Sequence, residues 1–204
     1  MKKWLCLLLA LVLGCISAAA EFDFSALKEM ENAIVSLVPG TADTIVRPMR
    51  MPYQGEFGED DLIANLDYII LPDQEVVALR ICLSVSLFEP MQADQVAVTL
   101  DGKCYTFTVT PEVAEYDGIY MEDYALVMTN DSMPLMKALS KGKQEQTMTV
   151  VFTCTADDMQ RTGSIPMPAQ DVKALLTEYA SFGGEEQDLS LIAERFPCVV
   201  EKSR

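Results

Sequence analysis

Val76-Val77-Ala78-Leu79-Arg80-Ile81-Cys82-Leu83-Ser84-Val85-Ser86-Leu87-Phe88 is the stretch that decides the fold. Its odd positions from Val77 to Leu87 are all large and apolar, while the even ones are mostly small or polar. Successive side chains of a strand point to opposite faces, so this is a long strand with one apolar side, and a sheet must be built around it.

Residues 95–109 follow with Asp101-Gly102 at their centre. Asp-Gly between alternating apolar runs marks a two-residue hairpin, because a type I′ turn needs positive φ at both central positions. The register then pairs Leu100 with Lys103, Val98 with Tyr105 and Val96 with Phe107. Those apolar residues and Val109 share one face, and Thr99, Cys104, Thr106 and Thr108 share the other. The hairpin is expected to lie beside the first strand. On the other side, residues 61–71 alternate Leu62, Ala64, Leu66, Tyr68 and Ile70 before Pro72-Asp73 and read as a strand turning into residues 76–88.

Further out, residues 25–38 place Leu27, Met30, Ile34, Leu37 and Val38 at helical spacing, and Pro39-Gly40 ends the run. Residues 41–61, with Pro48, Pro52, Gly55 and Gly58, read as a connector. Residues 119–129 form a weaker strand. A short helix follows Asp131-Ser132, with Pro134 in its first turn and Leu135, Met136 and Leu139 buried. Residues 147–155 and 161–167 read as a hairpin, and residues 170–182 and 188–196 as two closing helices. Strand-rich and helix-rich runs segregate, which predicts an α+β fold: a single antiparallel sheet of about five to seven strands with helices packed on one face.

Met1-Lys2-Lys3, the apolar run of residues 4–16 and Ala18-Ala19-Ala20 have the form of a secretory signal peptide over residues 1–20, leaving residues 21–204 as one globular α+β domain. Val12-Leu13-Gly14-Cys15 also resembles a bacterial lipobox, so the alternative is lipid attachment at Cys15. The expected location is extracytoplasmic, secreted or on the cell envelope. No stretch of the mature chain has the apolar length of a transmembrane span.

Removing the leader lowers Lys+Arg from 15 to 13 against 31 Asp+Glu, a net charge of −18. That balance argues against nucleic acid and anionic membranes as partners. Histidine is absent from all 204 residues, so Ser-His-Asp and Cys-His arrangements cannot be built. Cys82, Cys104, Cys154 and Cys198 remain after the leader. With strands in sequential order, Cys82 and Cys104 would flank a third strand, too far apart for a bridge.

Three groups are candidate sites. Glu59-Asp60-Asp61, after Gly58, could offer carboxylate oxygens to Ca²⁺, although the spacing matches no EF-hand loop. Tyr116, Tyr120 and Tyr124 recur every fourth position, which in one continuous strand places three rings on one side as a ligand platform. Ser25-Ala26-Leu27-Lys28 resembles the Ser-x-x-Lys nucleophile motif of penicillin-binding proteins and β-lactamases, and Arg161-Thr162-Gly163 is similar to that family's Lys-Thr-Gly strand. The intervening Ser-x-Asn element is missing.

The sequence therefore predicts an exported, bacterial, non-catalytic binding or interaction domain without a cofactor, its partner a protein or glycan at the cell exterior. The alternatives are a small hydrolase using carboxylates or the Ser25/Lys28 pair, and a calcium-dependent adhesion or carbohydrate-binding module.

Overall fold

The computed structural model describes residues 27, 29–30, 32–38, 40–142 and 144–202. Within these residues twelve strands form one antiparallel sheet: β1 (Ala33–Leu37), β2 (Thr44–Pro48), β3 (Tyr53–Phe57), β4 (Asp60–Leu71), β5 (Val76–Leu87), β6 (Gln95–Leu100), β7 (Lys103–Thr108), β8 (Glu112–Tyr116), β9 (Ile119–Val127), β10 (Glu145–Cys154), β11 (Met159–Pro168) and β12 (Cys198–Lys202). The α-helices formed wholly within the described residues are α1 (Met133–Leu139) and α2 (Ala169–Ser181). Strand order is β12-β7-β6-β10-β11-β3-β4-β5-β9-β8, with β2 beside the second half of β4 and β1 beside β2.

The alternation of β4 and β5 has its expected effect. The two pair along their whole length, from Asp61 opposite Ser86 to Leu71 opposite Val76, and all six odd positions of β5 from Val77 to Leu87 are buried. The Asp101-Gly102 hairpin forms in the register read from the sequence, with φ of 49° and 71° at the two turn residues.

The expected α+β architecture is corrected, however. Twelve strands replace five to seven, and among the described residues no layer of helices covers the sheet. The sheet covers itself. Its β4-β5-β9 half and its β6-β7-β10-β11 half share one core, in which the Phe152 ring of β10 meets Phe57 of β3 and Tyr124 of β9 edge-on, each at 5.0 Å between centroids. A two-layered sheet buries its apolar faces against each other, so helices are not needed for that purpose. Instead α1 and α2 pack on each other and add Leu135, Met136, Leu139, Val172, Leu175 and Tyr179 to the same core.

The halves join at β3 and β11 through one bridge, Glu56 opposite Ser164. Two glycines permit it: a β-carbon on Gly55 would run into the Ser164 carbonyl oxygen, and one on Gly163 into the Glu56 carbonyl oxygen. Such close backbone approach is a recurrent use of glycine within strands.

Several boundaries also change. Residues 33–37, read as helix, form β1 against β2, and the supposed connector holds β2 and β3. Residues 188–196 make a 3₁₀ turn, Leu189–Ile192, opened by the Asp188 side chain accepting from the Ser190 N–H. The tail forms β12 on β7. The neighbours of β5 are β4 and β9 rather than the β6–β7 hairpin, so Cys82 and Cys104 belong to different halves. Cys82, Cys104, Cys154 and Cys198, the cysteines among the described residues, are free thiols. The signal-peptide and Cys15 readings lie outside the described residues.

Candidate functional site

The outer face of β4-β5-β9 changes character along its length. At one end Ile69, Leu71, Val76, Ala78 and Val127 form a second small core under Leu189, Ile192 and Phe196. Arg195, paired with the buried Asp43, ties that covering segment down. At the boundary the greasy row gives way to charge. Asp67 of β4 stands opposite Arg80 of β5, accepting from Nε at 2.7 Å and from Nη2 at 2.8 Å, and Arg47 of β2 adds its Nε to Oδ2 at 3.1 Å. The Asp67 side chain is fully buried and that of Arg80 only 7% exposed, whereas that of Arg47 is 36% exposed. Burial opposes the Arg80 charge, but the hydrogen bonds and field of Asp67 outweigh it, and the guanidinium pKa is raised.

Beyond this row the face sinks into a hollow of about 230 Å³. Arg47, Arg80 and Cys82 line one side, and Glu112 of β8 and Asp123 of β9 line it with them. Glu112 and Asp123 face each other in register, and neither forms an ion pair among the described residues. Burial pushes the Cys82 thiol up to about 11, so it stays protonated at neutral pH and is a poor nucleophile.

The β8–β9 hairpin forms this edge of the sheet, with β9 pairing to β5 from Tyr120 to Val127 and β8 outermost. Every β8 residue is exposed. Its turn is Asp117-Gly118, with φ of 51° and 79°, and the closing pair is Tyr116 with Ile119. Cross-strand partners share a face, so Ala114, Met121, Tyr116 and Ile119 lie together on the outer side. Tyr116 is 79% exposed, and Met121 and Ile119 are both exposed. Phe88, one residue past the Leu87–Tyr120 pair, is exposed as well.

The three tyrosines do not converge, because the turn breaks the continuous strand assumed for them. Tyr116 faces outward and Tyr120 lies on the opposite face of the ribbon, half-buried. Tyr124 is in the core, its hydroxyl donating to Glu122 and accepting from the Ala93 N–H. Glu122 is itself fully buried and also accepts from the Met91 and Gln92 N–H groups, pinning residues 91–93 to β9.

Glu59, Asp60 and Asp61 sit at the β3–β4 turn. Asp60 is engaged by Arg161, whose guanidinium also lies 4.3 Å from the Phe57 ring centre, while Glu59 and Asp61 are exposed. Among the described residues no group of three or more His, Cys, Asp or Glu is arranged to hold a metal. Ser25 and Lys28 lie outside the described residues, and Arg161-Thr162-Gly163 runs along β11.

The charged row escaped the sequence reading, although a signal existed. Asp67 and Arg80 are equidistant from the centre of the connection formed by residues 72–75, so folding residues 61–88 about that turn pairs them. No family model, no curated protein and no solved structure matches this chain.

Proposed function

We propose that the chain is a non-catalytic binding domain that works outside the cytoplasm and docks a protein on the β8–β9 ribbon. The carrying observation is the exposed row of Tyr116, Ile119 and Met121 on a strand pair whose β8 edge is unpaired among the described residues. β8 is the last strand at this end of the sheet, and apolar groups clustered on an exposed edge commonly mark an interaction surface. Glu112, Glu115, Asp117 and Asp123 surround the row, so the complementary partner carries an apolar patch rimmed by lysine or arginine. The leader-like residues 1–20 support export. The absence of histidine and the raised Cys82 pKa support a role without catalysis.

The test is a photo-crosslinking residue placed at position 116 or, as control, at the exposed Lys173 of α2, in the full chain within the producing cell. A discrete adduct with one extracytoplasmic protein from position 116 alone supports the reading. Identical products from both positions, or a chain retained in the cytoplasm, would sink it. A glycan adduct at 116 would replace it with carbohydrate binding.

A further inference from the structure

We propose that the hollow on the outer face is a binding site for a free α-amino acid, with the carboxylate on Arg47 and the ammonium on Glu112 and Asp123. This goes beyond the ribbon reading and does not depend on it.

The argument begins with charge. Arg47 and Arg80 share a single carboxylate, that of Asp67, which leaves one positive charge over on their side of the hollow. Arg47 spends only its Nε on Asp67; its two terminal nitrogens make no hydrogen bond among the described residues. Glu112 and Asp123 bring two negative charges to the same hollow, and neither approaches an arginine nitrogen closely enough to form an ion pair. Opposite charges therefore share one recess without an ion-pair contact between them. A guanidinium with a free fork accepts a carboxylate bidentately, and a pair of carboxylates accepts the three donors of an ammonium. A zwitterion satisfies both, whereas a simple anion or cation satisfies one and meets repulsion from the other.

Size narrows the class. At about 230 Å³ the hollow is smaller than the range of roughly 300–1,000 Å³ usual for drug-sized ligands, which favours a single amino acid over a peptide or an oligosaccharide. Leu37, Ile45 and Ala125 provide apolar lining beside the charges, so the side chain accommodated is small and aliphatic. Partial enclosure strengthens both ionic contacts relative to open solvent.

The experiment is calorimetric titration of the intact protein with L-alanine, L-valine and L-leucine, alongside N-acetyl-L-valine, which lacks the ammonium, and L-valinamide, which lacks the carboxylate. Saturable binding of at least one free amino acid is expected, with the blocked analogues of valine weaker by about tenfold or more if valine is the ligand, and Arg47→Gln and Asp123→Asn each weakening it similarly. Thermal unfolding of each variant shows that it is folded. Tyr116→Ser removes the ribbon contact and leaves this binding intact, which separates the two readings. Absence of saturable binding by all three amino acids up to about 10 mM, equal binding of the blocked analogues, or indifference to Arg47→Gln in a folded variant would each overturn the proposal.

Discussion

Gly163 on β11 lies so close to Glu56 on β3 that a β-carbon there would sit 2.8 Å from the Glu56 carbonyl oxygen. It would also stand 2.9 Å from side-chain carbons of both Leu62 and Phe57. The neighbours are backbone and fully buried side chains, so little room exists for them to give way. Gly163→Ala is expected to destabilise the fold by about 1–3 kcal/mol, the usual range for overpacking a filled core. A lowered urea midpoint checks this; an unchanged midpoint would mean that the joint between the halves is looser than described.

Asp67 and Arg80 make a second prediction. Asp67→Asn leaves the buried Arg80 guanidinium without its counter-charge, and losing one partner of such a pair typically costs about 3–5 kcal/mol. Arg47→Gln, at a side chain 36% exposed, should cost no more than about 1 kcal/mol. Chemical unfolding of both variants reads the difference, and equal losses would contradict the burial gradient along this row.

Tyr124→Phe removes the hydroxyl that accepts from the buried Ala93 N–H and donates to Glu122. An orphaned buried donor costs about 1–3 kcal/mol. Hydrogen exchange at the Ala93 amide should accelerate in the variant by more than global destabilisation explains, since the 91–93 segment loses one of its anchors to β9.

The dependence of stability on pH should be flat near neutrality and steep in alkali. With no histidine, no side chain has an ordinary pKa between about 5 and 8. The Cys82 thiol titrates near 9 when unfolded and near 11 when folded, through burial, so between those values the unfolded chain gives up its proton first. Stability therefore falls as pH rises through that window, by about 1–3 kcal/mol for this thiol. Burial also raises the pKa values of Tyr68, Tyr124 and Tyr179, which extends the loss above pH 10. Unfolding midpoints from pH 6 to 11 test the shape, and Cys82→Ala should reduce the slope above pH 9.

The parts of the fold legible from sequence were those where pattern and turn chemistry agreed. β4, β5, the β6–β7 hairpin and α1 were all readable, because alternation, Asp-Gly and a proline in the first helical turn each act locally. Residues 33–37 misled: Ile34 and Leu37 fit a helical stripe, yet both are exposed on an edge strand, held there by β2. β2 and β3 were hidden by Pro48, Pro52 and Gly55, which suit an edge or a joint as well as a loop. β8 contains no buried residue and so writes no pattern. The self-covering of the sheet was invisible, since no local rule says whether a helix or a distant strand will bury an apolar face.

That self-covering sets an order on folding. Consecutive hairpins can close early because their partners are neighbours along the chain, but the seam between Glu56 and Ser164 unites segments more than a hundred residues apart. Until β11 has been made and delivered, β3 presents a naked backbone rim and the Phe57 ring has no Phe152 to rest on. The nascent protein is thus vulnerable to sticking to its own kind for as long as its last third is missing.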